Sequence, residues 1–307
     1  GEYKWASQVA SIVKNKTRTP IVFGGHHPTC LPEVVLKEKF VDFVIQGEGE
    51  YALLELVEYL QGKRKKDEVK NLYYISNGEI CRNGLRPLID NLDLLPFPDK
   101  ELFYQKMNYL SKTYTIMTSR GCPYSCSYCH NYYLKKLYEG KGEYIRKRSA
   151  SNVIQELKEA KIKYKIRDVL FQDEIFTLDF EWLKAFGKLY KEEIGLPYAC
   201  YIHPNDFEEK TAFLLRDSGC ISVNLGIESI DENIRRKLLY RSIRQSQIIN
   251  ILELLKKNNI YCRAYFVIGL PGQKEKDLID IVYFCNKYRF GTPMIFWLQY
   301  FPKTDIA

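Results

Sequence analysis

Strand-like and helix-like segments alternate along nearly the whole of this 307-residue chain. Short strand-like runs are followed by longer helix-like runs. This order restricts the fold more than any other feature, because strands separated by helices pair in parallel through crossovers. Six strand candidates lie at 114–119, 167–172, 197–203, 221–226, 261–269 and 293–300. Helical segments separate them, among them Val153–Lys161, Glu181–Glu193 and Ile248–Asn258. Six βα units are fewer than the eight of a closed barrel. The sequence therefore predicts an α/β fold whose core, residues 113–307, is a curved, partial (β/α)6 barrel.

Residues 1–82 read as a smaller first unit. It has a helix at 4–14, a buried strand within 19–23, a helix at 31–39, a second strand at 41–45, a helix at 50–61 and a hairpin at 72–82. Two parallel strands are too few for a complete doubly wound domain. Residues 83–112 contain Leu94-Leu95-Pro96-Phe97-Pro98-Asp99. Proline forces its predecessor into extended geometry, so this stretch is expected to be an extended linker.

The chain opens on Gly1 with neither an initiator Met nor the apolar core of a signal peptide, and it is expected to extend beyond both ends. No run of about 18 apolar residues is present, so no membrane span is expected. The net charge of +8 is scattered apart from Lys63-Arg64-Lys65-Lys66, which reads as a solvated loop. A nucleic-acid surface needs charge clustered on one face, which disfavours that partner. Of nine cysteines, Cys200, Cys220, Cys262 and Cys285 sit singly in apolar surroundings and read as reduced, buried thiols of a cytoplasmic protein.

Three other cysteines are crowded into Gly121-Cys122-Pro123-Tyr124-Ser125-Cys126-Ser127-Tyr128-Cys129, directly after the first barrel strand. Loops at the carboxyl ends of barrel strands carry the chemistry. Three close thiolates can bind three irons of a cubane cluster, and no fourth Cys lies near to complete it. The fourth iron would be open to a ligand. Zinc on the three thiols and His130 is an alternative, hindered by the adjacency of Cys129 and His130. Cys126–His130 also fits a C-x-x-C-H haem attachment, which leaves Cys122 idle. Structural thiols are the plainest alternative.

The C-x3-C-x-Tyr-C spacing, with Tyr128 in the aromatic slot, resembles the signature of the radical S-adenosylmethionine (SAM) superfamily. The resemblance implies that Cys122, Cys126 and Cys129 hold a [4Fe-4S] cluster whose open iron chelates SAM and cleaves it to a 5′-deoxyadenosyl radical. It also implies roles at the strand ends. Asp173, in Phe171-Gln172-Asp173-Glu174, would receive the SAM amino group, although it also reads as a helix cap. Glu228 and Ser229 would meet the ribose, and Arg241 would pair with the SAM carboxylate. Backbone at Ile268, before Gly269-Leu270-Pro271-Gly272, would meet the adenine. His203 would face the same mouth and could do acid–base work; a structural His is the competing reading.

The first unit carries a second resemblance, in Phe23-Gly24-Gly25-His26-His27-Pro28-Thr29, in Asp42–Glu50 and in the Leu-Pro-Phe-Pro linker. Together these look like the cobalamin-binding subclass, in which a Rossmann-like domain packs the corrin over the barrel. Gly24 and Gly25 would let backbone approach the cofactor. His26 and His27 read as loop residues rather than cobalt ligands, and Glu48 and Glu50 as helix N-terminal charges.

These resemblances imply a SAM-cleaving enzyme that methylates an unactivated carbon with cobalamin. It would act on a small-molecule or peptide substrate and draw electrons from a flavodoxin or ferredoxin. Tyr201 and His203 are candidates for meeting that substrate. One rival is a tRNA-modifying methylthiotransferase-like protein. Such enzymes carry three further N-terminal cysteines, whereas residues 1–100 hold only Cys30 and Cys81. The other rival is a non-catalytic metal-binding module.

Overall fold

In the computed structural model, residues 2–107 and 112–307 are described. The first unit begins with a helix, Glu2–Lys16. Strand β1 (Val22–Phe23) pairs in parallel with β2 (Phe43–Ile45). Strands β3 (Leu72–Ser76) and β4 (Glu79–Arg82) add antiparallel beside β2. Asn77 and Gly78 both have positive φ, 52° and 82°. This is the mirror-image turn that an Asn-Gly pair favours between twisted strands. Successive β2 residues face opposite ways. Val44 joins Val35 and Leu36 on one side, while Ile45 joins Ala52 and Leu56 on the other.

The helix expected at 31–39 is shorter, Pro32–Leu36, and a second short helix that the sequence did not predict, His26–Cys30, precedes it. They break at Leu31 (φ −132°, ψ 54°), which Pro32 excludes from the helical region. His26 and His27 are therefore helical, not loop residues. The linker is not extended throughout either. It contains a 3-10 turn, Leu92–Leu94, and a helix, Glu101–Lys106, whose start is fixed by the Asp99 carboxylate accepting from the Glu101 N–H at 3.0 Å. Residues 108–111 of the expected linker lie outside the described residues.

The larger sheet is wholly parallel. Its strands are β5 (Thr113–Ile116), β8 (Asp168–Phe171), β9 (Tyr198–Ile202), β10 (Cys220–Glu228), β11 (Tyr261–Ile268) and β12 (Thr292–Trp297), in that spatial order. Two further short strands, β6 (Ser119–Arg120) and β7 (Arg146–Lys147), form a separate antiparallel ribbon. The first barrel strand thus ends at Ile116, before the expected 119. The cause is Asp173, whose Oδ1 accepts from the Thr118 N–H, Thr118 Oγ1 and Ser119 Oγ at 2.9, 2.7 and 2.5 Å and turns the chain off the sheet.

Helices Ala150–Tyr164 and Phe180–Glu193 bury Val153, Leu157, Leu183 and Phe186 against Phe171 and Tyr198. In β9, Tyr198, Cys200 and Ile202 are buried, whereas the alternate Ala199 and Tyr201 are only partly so. Period-two alternation turns Tyr201 to the concave face, where its ring lies 6.2 Å from that of Tyr265. All nine cysteines are free thiols. Cys200, Cys220 and Cys262 are buried as expected, but Cys285 is only half-buried. No helix among the described residues is long and apolar enough to cross a membrane.

Candidate active site

The cysteine loop leaves the β6–β7 ribbon at Gly121. This residue has φ +91°, and a Cβ there would overlap the Tyr144 carbonyl oxygen. Only glycine fits. The Cys126 carbonyl accepts from the Cys129 N–H at 3.1 Å, closing a turn that runs into the helix His130–Leu137. Ser127 anchors the turn from the other side. Its Oγ donates to the Leu238 carbonyl at 2.6 Å and its N–H to that of Leu239 at 3.2 Å.

Cys126 is buried, while Cys122 and Cys129 are half-buried. Burial pushes the Cys122 thiol up to about 12 and raises Cys129 too. Thiolates here therefore need positive charge beside them, which bound iron supplies. No three acidic, His or Cys side chains among the described residues converge as ligands of one metal ion. Three thiolates that each bind a different iron of a cubane need not converge.

Three segments, the cysteine loop, the end of β10 and the stretch after it, bring Cys126, Tyr128, Glu228 and Arg241 together. Arg241 Nη1 lies 3.5 Å from Cys126 Sγ, and Nη2 donates to the Gly226 carbonyl at 2.8 Å. Burial works against the Arg241 cation, but Tyr128, Glu228 and Cys126 raise its pKa. Glu228 closes β10 at a register shift with φ +66°. A left-handed non-glycine residue in a bulge is held by its surroundings at a cost of order 1–3 kcal/mol. Desolvation raises the Glu228 carboxyl, opposed by Arg241 and a hydrogen bond from Tyr128.

The other expected residues sit nearby but are partly occupied. Ser229 Oγ accepts from the Asp231 N–H at 3.2 Å, and the Ile268 carbonyl from the Leu298 N–H at 2.8 Å. Asp173 spends Oδ1 on the β5 turn, leaving Oδ2 without a protein partner. His203 Nδ1 accepts from the Asn205 N–H at 3.2 Å, so the neutral ring carries its proton on Nε2, which has no protein partner. The ring stacks on Tyr124 at 3.8 Å, and burial lowers its pKa to about 4. Arg241 Nε and Glu174 Oε2 are likewise buried and unpartnered. Buried polar groups are normally satisfied, so this ring of orphans around the loop fits a polar ligand such as SAM.

Two residues escaped the sequence reading. Glu174 was signalled only by its place beside Asp173. Arg235 lies in the charged run Arg235-Arg236-Lys237 yet is fully buried in a π-helix, Ile234–Leu238. Its guanidinium donates to the Ser229, Ile230 and Ile243 carbonyls at 2.6, 3.0 and 3.1 Å. It thereby braces the segment that carries Arg241.

A cavity of about 680 Å³ separates the first unit from the cysteine loop. Gly24, Gly25 and Gly47 line one side; Asn131, Tyr144 and Glu174 line the other. Glu48 bolts the two sides together. It accepts from Arg120 Nη1 at 2.8 Å, Arg146 Nη1 at 2.9 Å and the Ile89 N–H at 2.8 Å. Glu50 takes Arg120 Nη2 at 2.5 Å. These two carboxylates thus do more than favour a helix N-terminus. His26 stacks on His130, with ring centroids 5.1 Å apart.

The family model of the radical SAM superfamily matches residues 116–285. An "uncharacterized methyltransferase PH0819" of Pyrococcus horikoshii is 31% identical over 287 residues, 92% of this chain and 61% of that protein. The cytidylyl-2-hydroxyethylphosphonate methyltransferase of Streptomyces wedmorensis is 25% identical over 302 residues, 86% of this chain and 54% of that one. The chain thus spans between half and two thirds of the length of these relatives. The solved radical SAM methyltransferase TsrM of Kitasatospora setae, with tryptophan and a SAM analogue bound, superposes with a TM-score of 0.81 at 18% identity. That match covers 98% of this chain and 59% of TsrM. OxsB, a cobalamin-dependent SAM radical enzyme solved with aqua-cobalamin and SAM, superposes at 0.74 and 18% identity, over 95% of this chain and 43% of OxsB. At such identity the likeness is one of fold. With the family model covering more than half of its residues, the chain belongs to the radical SAM superfamily.

Proposed function

We propose that this chain forms the core of a cobalamin-dependent radical SAM methyltransferase acting on an unactivated carbon. The carrying observation is the shared cavity, in which Gly24, Gly25 and Gly47 face Glu174 and the start of the cysteine loop at Gly121. The methyltransferases among the relatives, and the aqua-cobalamin bound to OxsB, support the same reading. Residues 1–82 would be the C-terminal part of a Rossmann-like cobalamin-binding domain, 83–112 the linker and 113–307 the radical SAM core.

When bound, a [4Fe-4S] cluster supplies the electron that cleaves the SAM sulfonium to a 5′-deoxyadenosyl radical, and methylcobalamin supplies the methyl group. The chain's own residues bind and orient. Cys122, Cys126 and Cys129 would hold the cluster. Arg241 offers its free Nε–H to the SAM carboxylate, as a forked cation suits a planar anion. The unpartnered oxygens of Glu174 and Asp173 suit the ammonium. Glu228, steadied by Tyr128, suits the ribose hydroxyls; Ser229 shapes the turn beside it, and backbone at Ile268 would meet the adenine. Gly24 and Gly25 leave room for the corrin. A flavodoxin or ferredoxin in a reducing cytoplasm would supply the electron.

The test is anaerobic reconstitution with iron and sulfide, followed by SAM and dithionite. Wild-type protein should form 5′-deoxyadenosine and methionine. Cys126→Ala should lose both the cluster's visible absorbance and SAM cleavage. One equivalent of zinc in a colourless protein would sink the radical reading. Failure of the full-length protein to retain added hydroxocobalamin through gel filtration would sink the cobalamin half alone.

A further inference from the structure

A second cavity, also of about 680 Å³, opens on the far side of Arg120. The linker motif builds it: Leu94, Leu95 and Phe97 form one wall, and Leu54 and Met117 stand opposite. Pro96 and Pro98 stiffen that wall and bring no N–H that needs a partner. Leu94 is 72% exposed and Leu54 56%. Apolar surface gathered around a concavity marks a binding site more often than scattered exposure does.

The two cavities meet. Glu50, Met117 and Arg120 line both, so the Arg120–Glu50 ion pair and the Met117 side chain form the partition. The inner end of the second cavity is cationic. Lys100 and Arg148 share one carboxylate, Glu156, at 3.5 and 2.6 Å. Glu156 also accepts from the Tyr114 hydroxyl at 2.7 Å, which brings no compensating charge. Two cations against one anion leave a net positive charge in a largely desolvated corner, where its field is weakly screened.

We propose that this linker cavity is the substrate site. Its occupant would be an apolar small molecule with a single carboxylate, the acid held at Lys100 and Arg148 and the opposite end directed past Met117 into the neighbouring cavity. The assignment of the occupant as substrate rests on the methyltransferase reading; the binding preference does not.

The experiment uses the purified chain with its cluster reconstituted. The reporter is 1-anilinonaphthalene-8-sulfonate, a fluorescent apolar anion, displaced by decanoate or by neutral decan-1-ol. Decanoate should displace the dye at one site, with at least ~10-fold higher affinity than decanol, the scale of one charge-assisted contact. Arg148→Gln should remove that preference by weakening decanoate alone. Leu94→Asp, a change at an exposed position that the fold tolerates, should weaken decanoate ~10-fold or more. Equal affinities for acid and alcohol, or decanoate binding indifferent to both substitutions, would overturn the proposal. Formation of 5′-deoxyadenosine by the same wild-type preparation separates the two readings. Its absence counts against radical chemistry and leaves the binding result standing; its presence beside indifferent binding rejects the linker site alone.

Discussion

Arg241 Nη1 lies 3.5 Å from Cys126 Sγ, although the two residues are 115 positions apart in the chain. One guanidinium thus touches the cysteine loop and, through Gly226, the end of β10. Arg241→Gln should leave iron incorporation intact and raise the KM for SAM by roughly 10- to 100-fold, the range of a hydrogen bond to a charged group. Iron content and 5′-deoxyadenosine kinetics measure the two effects separately. An unchanged KM would remove Arg241 from the SAM site.

His203 is buried and neutral, with its pKa lowered to about 4. The unfolded chain takes up a proton near 6.5, before the folded one does. The contribution of this residue to stability is therefore complete above about pH 6.5. It is lost progressively as pH falls to about 4, by about 3 kcal/mol in total. His203→Gln should flatten this part of the pH–stability curve. Urea midpoints that decline equally in both proteins over pH 6.5–4 would count against the assignment.

Gly121→Ala meets two obstacles, a positive φ and the Tyr144 carbonyl in the space the new Cβ needs. The loop must shift, at a cost of order 1–3 kcal/mol. The expected result is a folded protein with less iron per chain after reconstitution. A full complement of iron would mean that the loop tolerates the displacement.

Glu48→Gln removes the charge that Arg120 and Arg146 share while keeping the shape of the side chain. Arg146 is nearly fully buried, so its loss of a partner is not relieved by water. A cost of about 2–3 kcal/mol follows, visible as a drop of several degrees in thermal unfolding. A Tm unchanged within error would show that solvent screens the network.

The sequence was legible where the signal is local. Parallel strands announced themselves by their alternation with helical segments, and the three cysteines by their spacing within eight positions. The helix His26–Cys30 was not legible, because a single turn that follows Gly24-Gly25 and contains Pro28 reads as loop. Long-range relations could not be read. Nothing near Thr118 says that Asp173 will draw three donors and end the strand at Ile116. Arg235 looks like solvated surface between charged neighbours, and only the fold returns three carbonyls to its guanidinium. Glu48 and Glu50 read as helix-start charges because Arg120 lies about 70 residues further on.

The Asp173 carboxylate also orders events in time. Thr118 precedes it by 55 residues. At roughly 5–20 residues per second, the ribosome needs about 3–11 s to span that interval. Cys129, the last cysteine of the loop, is added 44 residues before Asp173, so the loop is complete about 2–9 s before the carboxylate that fixes its starting point. The order of synthesis thus makes the three thiols before the strand end that holds their loop, and the loop can take its folded shape only once Asp173 has been added.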